Sequence, residues 1–138
     1  MKNLEFNMPL EQEAAKEKAV EAAVVAAELV GTWVACNKAT RSIVRVVIGA
    51  RGTNVSVHVF GACTPTPCDW GVVDGVAYAK DVSATDAIAF TAPYKFGFKT
   101  ALVTGRLDEG SLIVETYNVF TDASGRSNYY TRGYFCKQ

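Results

Sequence analysis

Four ionisable side chains interrupt apolar segments of strand length, and they are the residues of this 138-residue chain best placed for acid–base or ligand-orienting chemistry. They are Arg45, His58, Glu115 and Arg132. Because alternate side chains of a strand share a face, His58 lies with polar and aromatic neighbours, opposite the valines of V-S-V-H-V-F. On a cavity wall His58 is a candidate proton shuttle near neutral pH, and on the outside it is an ordinary surface side chain. Arg45, His58 and Glu115 are the catalytic candidates. Alternatively, Glu115 forms a structural ion pair with Arg132 on the neighbouring strand.

The segment 58–71, H-V-F-G-A-C-T-P-T-P-C-D-W-G, concentrates side chains that commonly bind ligands. Asp69 and Trp70 offer a hydrogen-bond acceptor and a stacking surface to a sugar or a planar molecule, and loops on rigid scaffolds often hold function. The alternative is structural: Pro65 and Pro67 shape a long hairpin loop, and Trp70 fills the core.

Familiar catalytic templates are absent from the sequence, which has no G-x-S-x-G, no glycine-rich phosphate loop and no H-E-x-x-H. The C-x4-C spacing of Cys63 and Cys68 has no second pair nearby, and there is one histidine, so a zinc site is not expected. The sequence therefore predicts no metal, no cofactor and no hydrolytic activity.

The element that precedes these residues is a helix predicted over 9–30, PLEQEAAKEKAVEAAVVAAELV. The segment is rich in Ala, Glu and Lys, opens with Pro9 and stops at Gly31. Its apolar residues recur at helical spacing and form a stripe that must be buried against another surface. Three surfaces are possible: the barrel mouth, which the helix would cover as a lid, the barrel wall, or a second chain.

After Gly31 the hydrophobic period changes to two, and clusters of Gly, Asp, Asn and Pro separate segments of strand length. The eight segments are 31–37, 42–49, 53–61, 69–79, 87–92, 97–107, 111–121 and 127–136. The connections A-R-G-T, D-E-G and D-A-S-G-R are typical of hairpin turns. Successive hairpins predict a mainly β fold, an antiparallel up-and-down barrel over 31–138 with an N-terminal helix within 1–30. An open or Greek-key sandwich is the alternative.

The four cysteines, Cys36, Cys63, Cys68 and Cys136, have two interpretations. As free thiols they agree with the cytoplasmic location that the acidic N-terminal segment indicates. As disulfides, from 63 to 68 and, across a closed barrel, from 36 to 136, they indicate a secreted protein.

The charge balance bears on partners, since 14 basic and 14 acidic residues give no net charge to attract nucleic acid or an acidic membrane. Glu21 and Glu28 break the Ala/Val run at 19–30, so no segment has the apolar length of a membrane helix. The predicted partner is therefore a small molecule, and neither nucleic acid nor a membrane is expected. The apolar stripe of the helix also allows a homo-oligomer.

Gly31-Thr32-Trp33 resembles the G-x-W opening of the calycin barrels, the lipocalins and avidins, in which the tryptophan packs across the closed end. The eight-segment meander is similar to the compact avidin plan, and P-Y-K-F-G-F at 93–98 is similar to an avidin strand. Only Asn37 and Ser42 occupy places comparable with biotin-contacting residues, so biotin binding is not carried over. The resemblance implies a barrel whose open mouth holds a small molecule. The helix-lidded architecture also resembles the cyclases of polyketide pathways.

Three functions are consistent with these observations. The first is a barrel that binds a small apolar or aromatic molecule in its lumen under the helix. Its candidate ligand-binding residues are Trp33, Arg45, His58, Trp70, Tyr94, Tyr130 and Arg132. The second is a cofactor-independent cyclase or isomerase that uses the same cavity to fold a substrate and exclude water. The third is a carbohydrate-binding or protein-interaction module that uses the 61–71 loop.

Overall fold

The computed structural model describes residues 25–138, which form a closed antiparallel barrel of eight strands in meander order. The strands are β1 (Gly31–Ala35), β2 (Ile43–Arg51), β3 (Asn54–Gly61), β4 (Cys68–Ala79), β5 (Ala87–Lys95), β6 (Lys99–Asp108), β7 (Ser111–Phe120) and β8 (Tyr129–Lys137). Each strand pairs with the next, and β1 pairs with β8 through three residues on each strand. The predicted up-and-down barrel is confirmed, and the open sandwich is wrong. In the described residues, no helix has the length and apolar character needed to span a bilayer.

The end of the predicted helix differs from expectation, whereas its residues 9–24 lie outside the described part of the chain. Val25 forms an isolated parallel bridge with Asp86, and residues 27–29 make a turn. The indole Nε1–H of Trp33 donates a hydrogen bond to the carbonyl oxygen of the fully buried Leu29 at 2.9 Å. Packing at the barrel end therefore outweighs helix propensity over 25–30. The division into a helix within 1–30 and a barrel over 31–138 stays a prediction.

Turn chemistry explains why the strands follow one another as hairpins. Asp108 pairs with Ser111 around a two-residue loop. Glu109 and Gly110 both have positive φ there, 49° and 85°. Two successive positive φ values are the signature of a type I′ turn, whose twist matches that of the flanking strands.

The barrel has two unlike ends. Connections 36–42, 62–67, 96–98 and 121–128 are at one end, which we call the open end. The tight β2–β3 and β6–β7 turns are at the other, the closed end, where residues 25–30 also lie. Inside the closed half the side chains are packed: Trp33, Val55, Val57, Phe90 and Leu112 are each at most 1% exposed. Gly105 makes room there, because a Cβ at this position would overlap the ring of Phe90.

Tyr94 reaches from β5 along the inner side of β4 to β3. The β3–β4 pairing contains an irregularity between His58 and Phe60, and Val59 at this irregularity donates its N–H to the Tyr94 hydroxyl at 3.1 Å. That hydroxyl lies 3.0 Å from the carbonyl of Val57 and 2.8 Å from that of Gly71, either of which accepts its proton. Burial raises the pKa of Tyr94 to about 12, so the hydroxyl stays neutral and keeps a proton to donate.

Two disulfides tie the barrel. Cys36 bonds Cys136, with their Cα atoms 5.4 Å apart, and we call this the seam disulfide because it links the regions of β1 and β8. Cys63 bonds Cys68 across the 62–67 connection, and we call this the loop disulfide. All four cysteines of the chain are therefore oxidised.

Candidate functional site

The open half of the barrel contains a cavity of 470 Å³, which we call the mouth cavity. Arg41 borders it, and hydroxyl or amide side chains of six residues line it: Thr40, Ser42, Thr116, Asn118, Tyr129 and Thr131. Trp70 supplies an aromatic wall, and the loop disulfide lies at the rim. The volume is within the range of pockets that hold small organic molecules.

A second cavity of 270 Å³ adjoins the first and runs beside the seam disulfide. The two cavities share Thr40, Ser42 and Thr131 in their walls. The space exists because β1 ends at Ala35 while β8 continues to pair with β7 up to Tyr129. The short first strand thus leaves a gap in the barrel wall at the open end.

Lys99 is a buried charged residue beside this site, at the open end of the barrel, and it does not itself line either cavity. It is the first residue of β6 and is only 7% exposed. Its Nζ donates to Asn118 Oδ1 at 3.0 Å and to the Tyr129 hydroxyl at 3.2 Å. Aromatic rings surround the same nitrogen, with the centroids of Trp70 at 5.2 Å and Phe96 at 5.8 Å. Ring faces of this kind attract a cation, and they attract it more strongly where water is excluded.

A chain of hydrogen bonds leads from Lys99 along the cavity wall. Asn118 Nδ2 donates to Thr116 Oγ1 at 3.0 Å, and Thr116 is hydrogen-bonded to Thr131 on β8. Asn118 and Thr116 are both 2% exposed, so these bonds replace the water that their polar atoms lost on folding.

Trp70 is turned into the barrel. Its ring meets those of Tyr94 and Phe96 edge to face, with centroids 5.6 Å and 5.4 Å away. Gly61 on β3 permits this orientation, because a Cβ there would come within 2.9 Å of the indole Nε1. The tryptophan therefore forms part of the cavity wall and is not displayed on the surface of the 61–71 loop.

His58 and Arg45 lie on the outer surface of the barrel. His58 Nε2 is 2.6 Å from Asp69 Oδ1, which also accepts the N–H of Gly71 at 2.8 Å. These two bonds, the one from Gly71 first, hold the pKa of Asp69 below its usual value. The Arg45 guanidinium lies 4.1 Å from the centroid of the Phe60 ring, which also contacts His58. Neither His58 nor Arg45 lines the mouth cavity.

Glu115, Tyr130 and Arg132 also project outward. Tyr130 donates its hydroxyl proton to Glu115, and this bond raises the pKa of Tyr130. Glu115 and Arg132 are register partners, but the guanidinium of Arg132 lies over the ring of Tyr134 instead, 5.7 Å from its centroid. Among these three residues, only Arg132 lines a cavity at the open end, the smaller one.

The sequence-predicted candidates are thus divided between the outer side of the barrel, described above, and three places inside it. Trp70 belongs to the mouth cavity, Tyr94 lies directly beneath it, and Trp33 lies at the closed end. Sequence reasoning missed Lys99, Asn118 and Thr131. Strand alternation places Lys99 on the same face as Ala101 and Val103, and this was the available signal that Lys99 points into the barrel. The apolar Leu102 lies on the other face, so the sequence did not show which face is inside.

Comparisons with known proteins identify no relative: no family model matches the chain, and neither the curated proteins nor the solved structures contain a match. The likeness of G-T-W to the calycin opening therefore stays a resemblance.

Proposed function

We propose that this protein is a small-molecule-binding barrel whose ligand occupies the mouth cavity. The observation that carries the proposal is the contrast between the two halves of one barrel. The closed half is filled by apolar side chains that are at most a few per cent exposed, whereas the open half contains 470 Å³ lined by polar groups and Trp70.

The division of the interior also changes the ligand that we expect. A purely apolar guest would leave the hydroxyls and amide of the wall without partners, which is costly in a buried site. A molecule with one flat apolar part for Trp70 and polar atoms for the threonines fits this lining better.

Binding is favoured over the cyclase alternative by the places of the acid–base candidates. His58 and Glu115 are on the outer surface, and neither lines the mouth cavity or its smaller neighbour. The interaction-module alternative is less favoured because Trp70, its stacking residue, is engaged with Tyr94 and Phe96 inside the barrel.

The disulfides bear on the compartment in which the ligand is met. Because structural disulfides persist mainly in oxidising environments, we propose a secreted or otherwise oxidising location in place of the cytoplasmic one. Alkylation of the protein from its natural source before reduction tests this, since two disulfides leave no thiol to react. Four alkylated cysteines would contradict the proposal.

Native mass spectrometry of the purified protein tests ligand binding directly. We expect a retained small molecule. We expect Ser42→Trp to abolish its retention, because Ser42 lines both cavities and its hydroxyl makes no hydrogen bond with any residue in 25–138. Thr53→Trp is the matched control, because Thr53 is exposed in the tight turn at the closed end. Equal retention by both variants, with circular dichroism showing both folded, would exclude the mouth cavity as the site.

A further inference from the structure

We infer that the mouth cavity recognises a carboxylate, so that its ligand is a small aromatic acid. This inference depends on the proposed function and adds the chemical class of the ligand. It is carried by the direction of the hydrogen bonds that start at Lys99 and by the charges that surround the cavity.

The first step is the orientation of Asn118. The Lys99 ammonium has only donors, so the atom of Asn118 that meets it at 3.0 Å must be the oxygen. The amide nitrogen of Asn118 then donates to Thr116 Oγ1 at 3.0 Å. The ammonium therefore fixes which end of the amide faces which neighbour.

The second step is the direction of the bond between Thr116 and Thr131. Thr116 is 2% exposed, and Thr131 is the only acceptor that the structure gives its hydroxyl proton within residues 25–138. If Thr131 were the donor, the Thr116 proton would be buried without a partner, which is unfavourable. Thr116 consequently donates, and the proton of Thr131 is left to point elsewhere. Thr131 lines both open-end cavities, so that proton is available to a ligand.

Tyr129 ends a second, shorter path in the same way. Its phenolic oxygen accepts from Lys99 Nζ at 3.2 Å, so its own proton is free to be donated. Tyr129 also lines the mouth cavity. Both paths from the ammonium thus end in hydroxyl donors at the cavity wall, and polarisation along each path strengthens the terminal donor.

The charges agree with this polarity. Within the described part of the chain, no carboxylate forms an ion pair with Lys99, and no Asp or Glu lines either cavity. Arg41 borders the mouth cavity and Arg132 the smaller one. Lys99 does not line either cavity, so a ligand carboxylate would not touch it; the carboxylate would accept the two hydroxyl protons at the wall and offset the charge of the ammonium that lies behind Tyr129 and Asn118.

Trp70 indicates the rest of the ligand. One wall of the mouth cavity is its indole, held in place by edge contacts with Tyr94 and Phe96. A flat ring that stacks on the indole while its carboxylate meets Tyr129 and Thr131 uses both features of the site, and such aromatic stacking is favourable.

Isothermal titration calorimetry with 2-naphthoate and 2-naphthamide, repeated with benzoate and benzamide, tests the inference. The acid and the amide of each pair have nearly the same shape and differ in charge. We expect the acids to bind at least about tenfold more tightly than the amides, as for a hydrogen bond to a charged group. Lys99→Met should weaken binding of the acids by about tenfold and leave binding of the amides within about twofold.

Lys95→Met is the control variant, because Lys95 is exposed on β5 and should leave both affinities unchanged. Tyr129→Phe and Thr131→Val each remove one terminal donor and test the inference without changing charge, in case Lys99→Met does not fold. Equal affinity for acid and amide, no measurable binding of either acid, or a neutral molecule retained in the native mass spectrum would overturn the carboxylate assignment. The last result would leave the proposed binding function standing, whereas retention by Ser42→Trp would exclude the mouth cavity as the ligand site.

Discussion

Tyr94→Phe is the substitution that most sharply separates the hydrogen-bonding account of the barrel from simple packing. It removes one oxygen and keeps the ring, so it creates almost no cavity. In the native protein that oxygen accepts the N–H of Val59, a residue with no exposed surface, and gives its proton to the carbonyl of Val57 or Gly71. The two carbonyls have second lone pairs and lose little. The buried N–H loses the acceptor that the Tyr94 hydroxyl gave it, and leaving such a donor unpaired costs about 1–3 kcal/mol.

Urea unfolding followed by circular dichroism measures this loss, which should appear as a lower midpoint at unchanged slope. Tyr134→Phe is the matched control, because the hydroxyl of Tyr134 makes no hydrogen bond in the described part of the chain and the residue is 49% exposed. We expect the control to remain within about 0.5 kcal/mol of the parent protein. If Tyr94→Phe is equally harmless, the hydroxyl does not hold the irregular β3–β4 pairing, and the reasoning about this bridge is refuted.

Three further outcomes follow from the packing, the disulfides and the titration of the barrel. Gly105→Ala should cost about 1–3 kcal/mol in urea unfolding because the new Cβ overlaps Phe90, with partial recovery in the double variant that adds Phe90→Leu; Gly97→Ala, where the added Cβ has open space, should cost almost nothing. Replacing the seam disulfide by two alanines should cost about 5 kcal/mol and replacing the loop disulfide about 2 kcal/mol, because they close loops of sequence separation 100 and 5; equal costs would contradict the loop-entropy explanation. Since the pKa of Tyr94 is raised to about 12, the stabilisation by its neutral hydroxyl is complete below its unfolded pKa of about 10 and is lost as the pH rises through 12; urea midpoints that stay constant over this range would contradict that assignment.

Much of the architecture followed from local sequence signals. Alternation of apolar and polar residues, cut by turn residues, located all eight strands, because a half-buried strand and a tight turn each depend on neighbours in sequence. The D-E-G connection is an example, since its two positive φ values need only the residues of the turn itself. Residues 25–30 were mispredicted as helix because their conformation depends on contacts with Trp33 and Asp86, which no helical pattern records.

The site was harder to predict for a related reason. Alternation defines two faces of a strand but does not say which one is inside, and several outer positions of this barrel carry large apolar residues, including Leu102 and Tyr117. His58 and Glu115 therefore appeared as good candidates although they face outward. Lys99 was overlooked because a lysine is rarely buried, and its partners Asn118 and Tyr129 come from strands that only the closed barrel brings beside it.

Binding at the open end is tested most directly by the two indole N–H signals in a ¹H–¹⁵N correlation spectrum. The chain has two tryptophans, of which Trp70 lines the mouth cavity and Trp33 donates to Leu29 at the closed end. Titration with 2-naphthoate should shift the Trp70 signal in a saturable manner and leave the Trp33 signal in place. A Trp70 signal that stays still, or a Trp33 signal that moves as far, would contradict a ligand site at the mouth of the barrel.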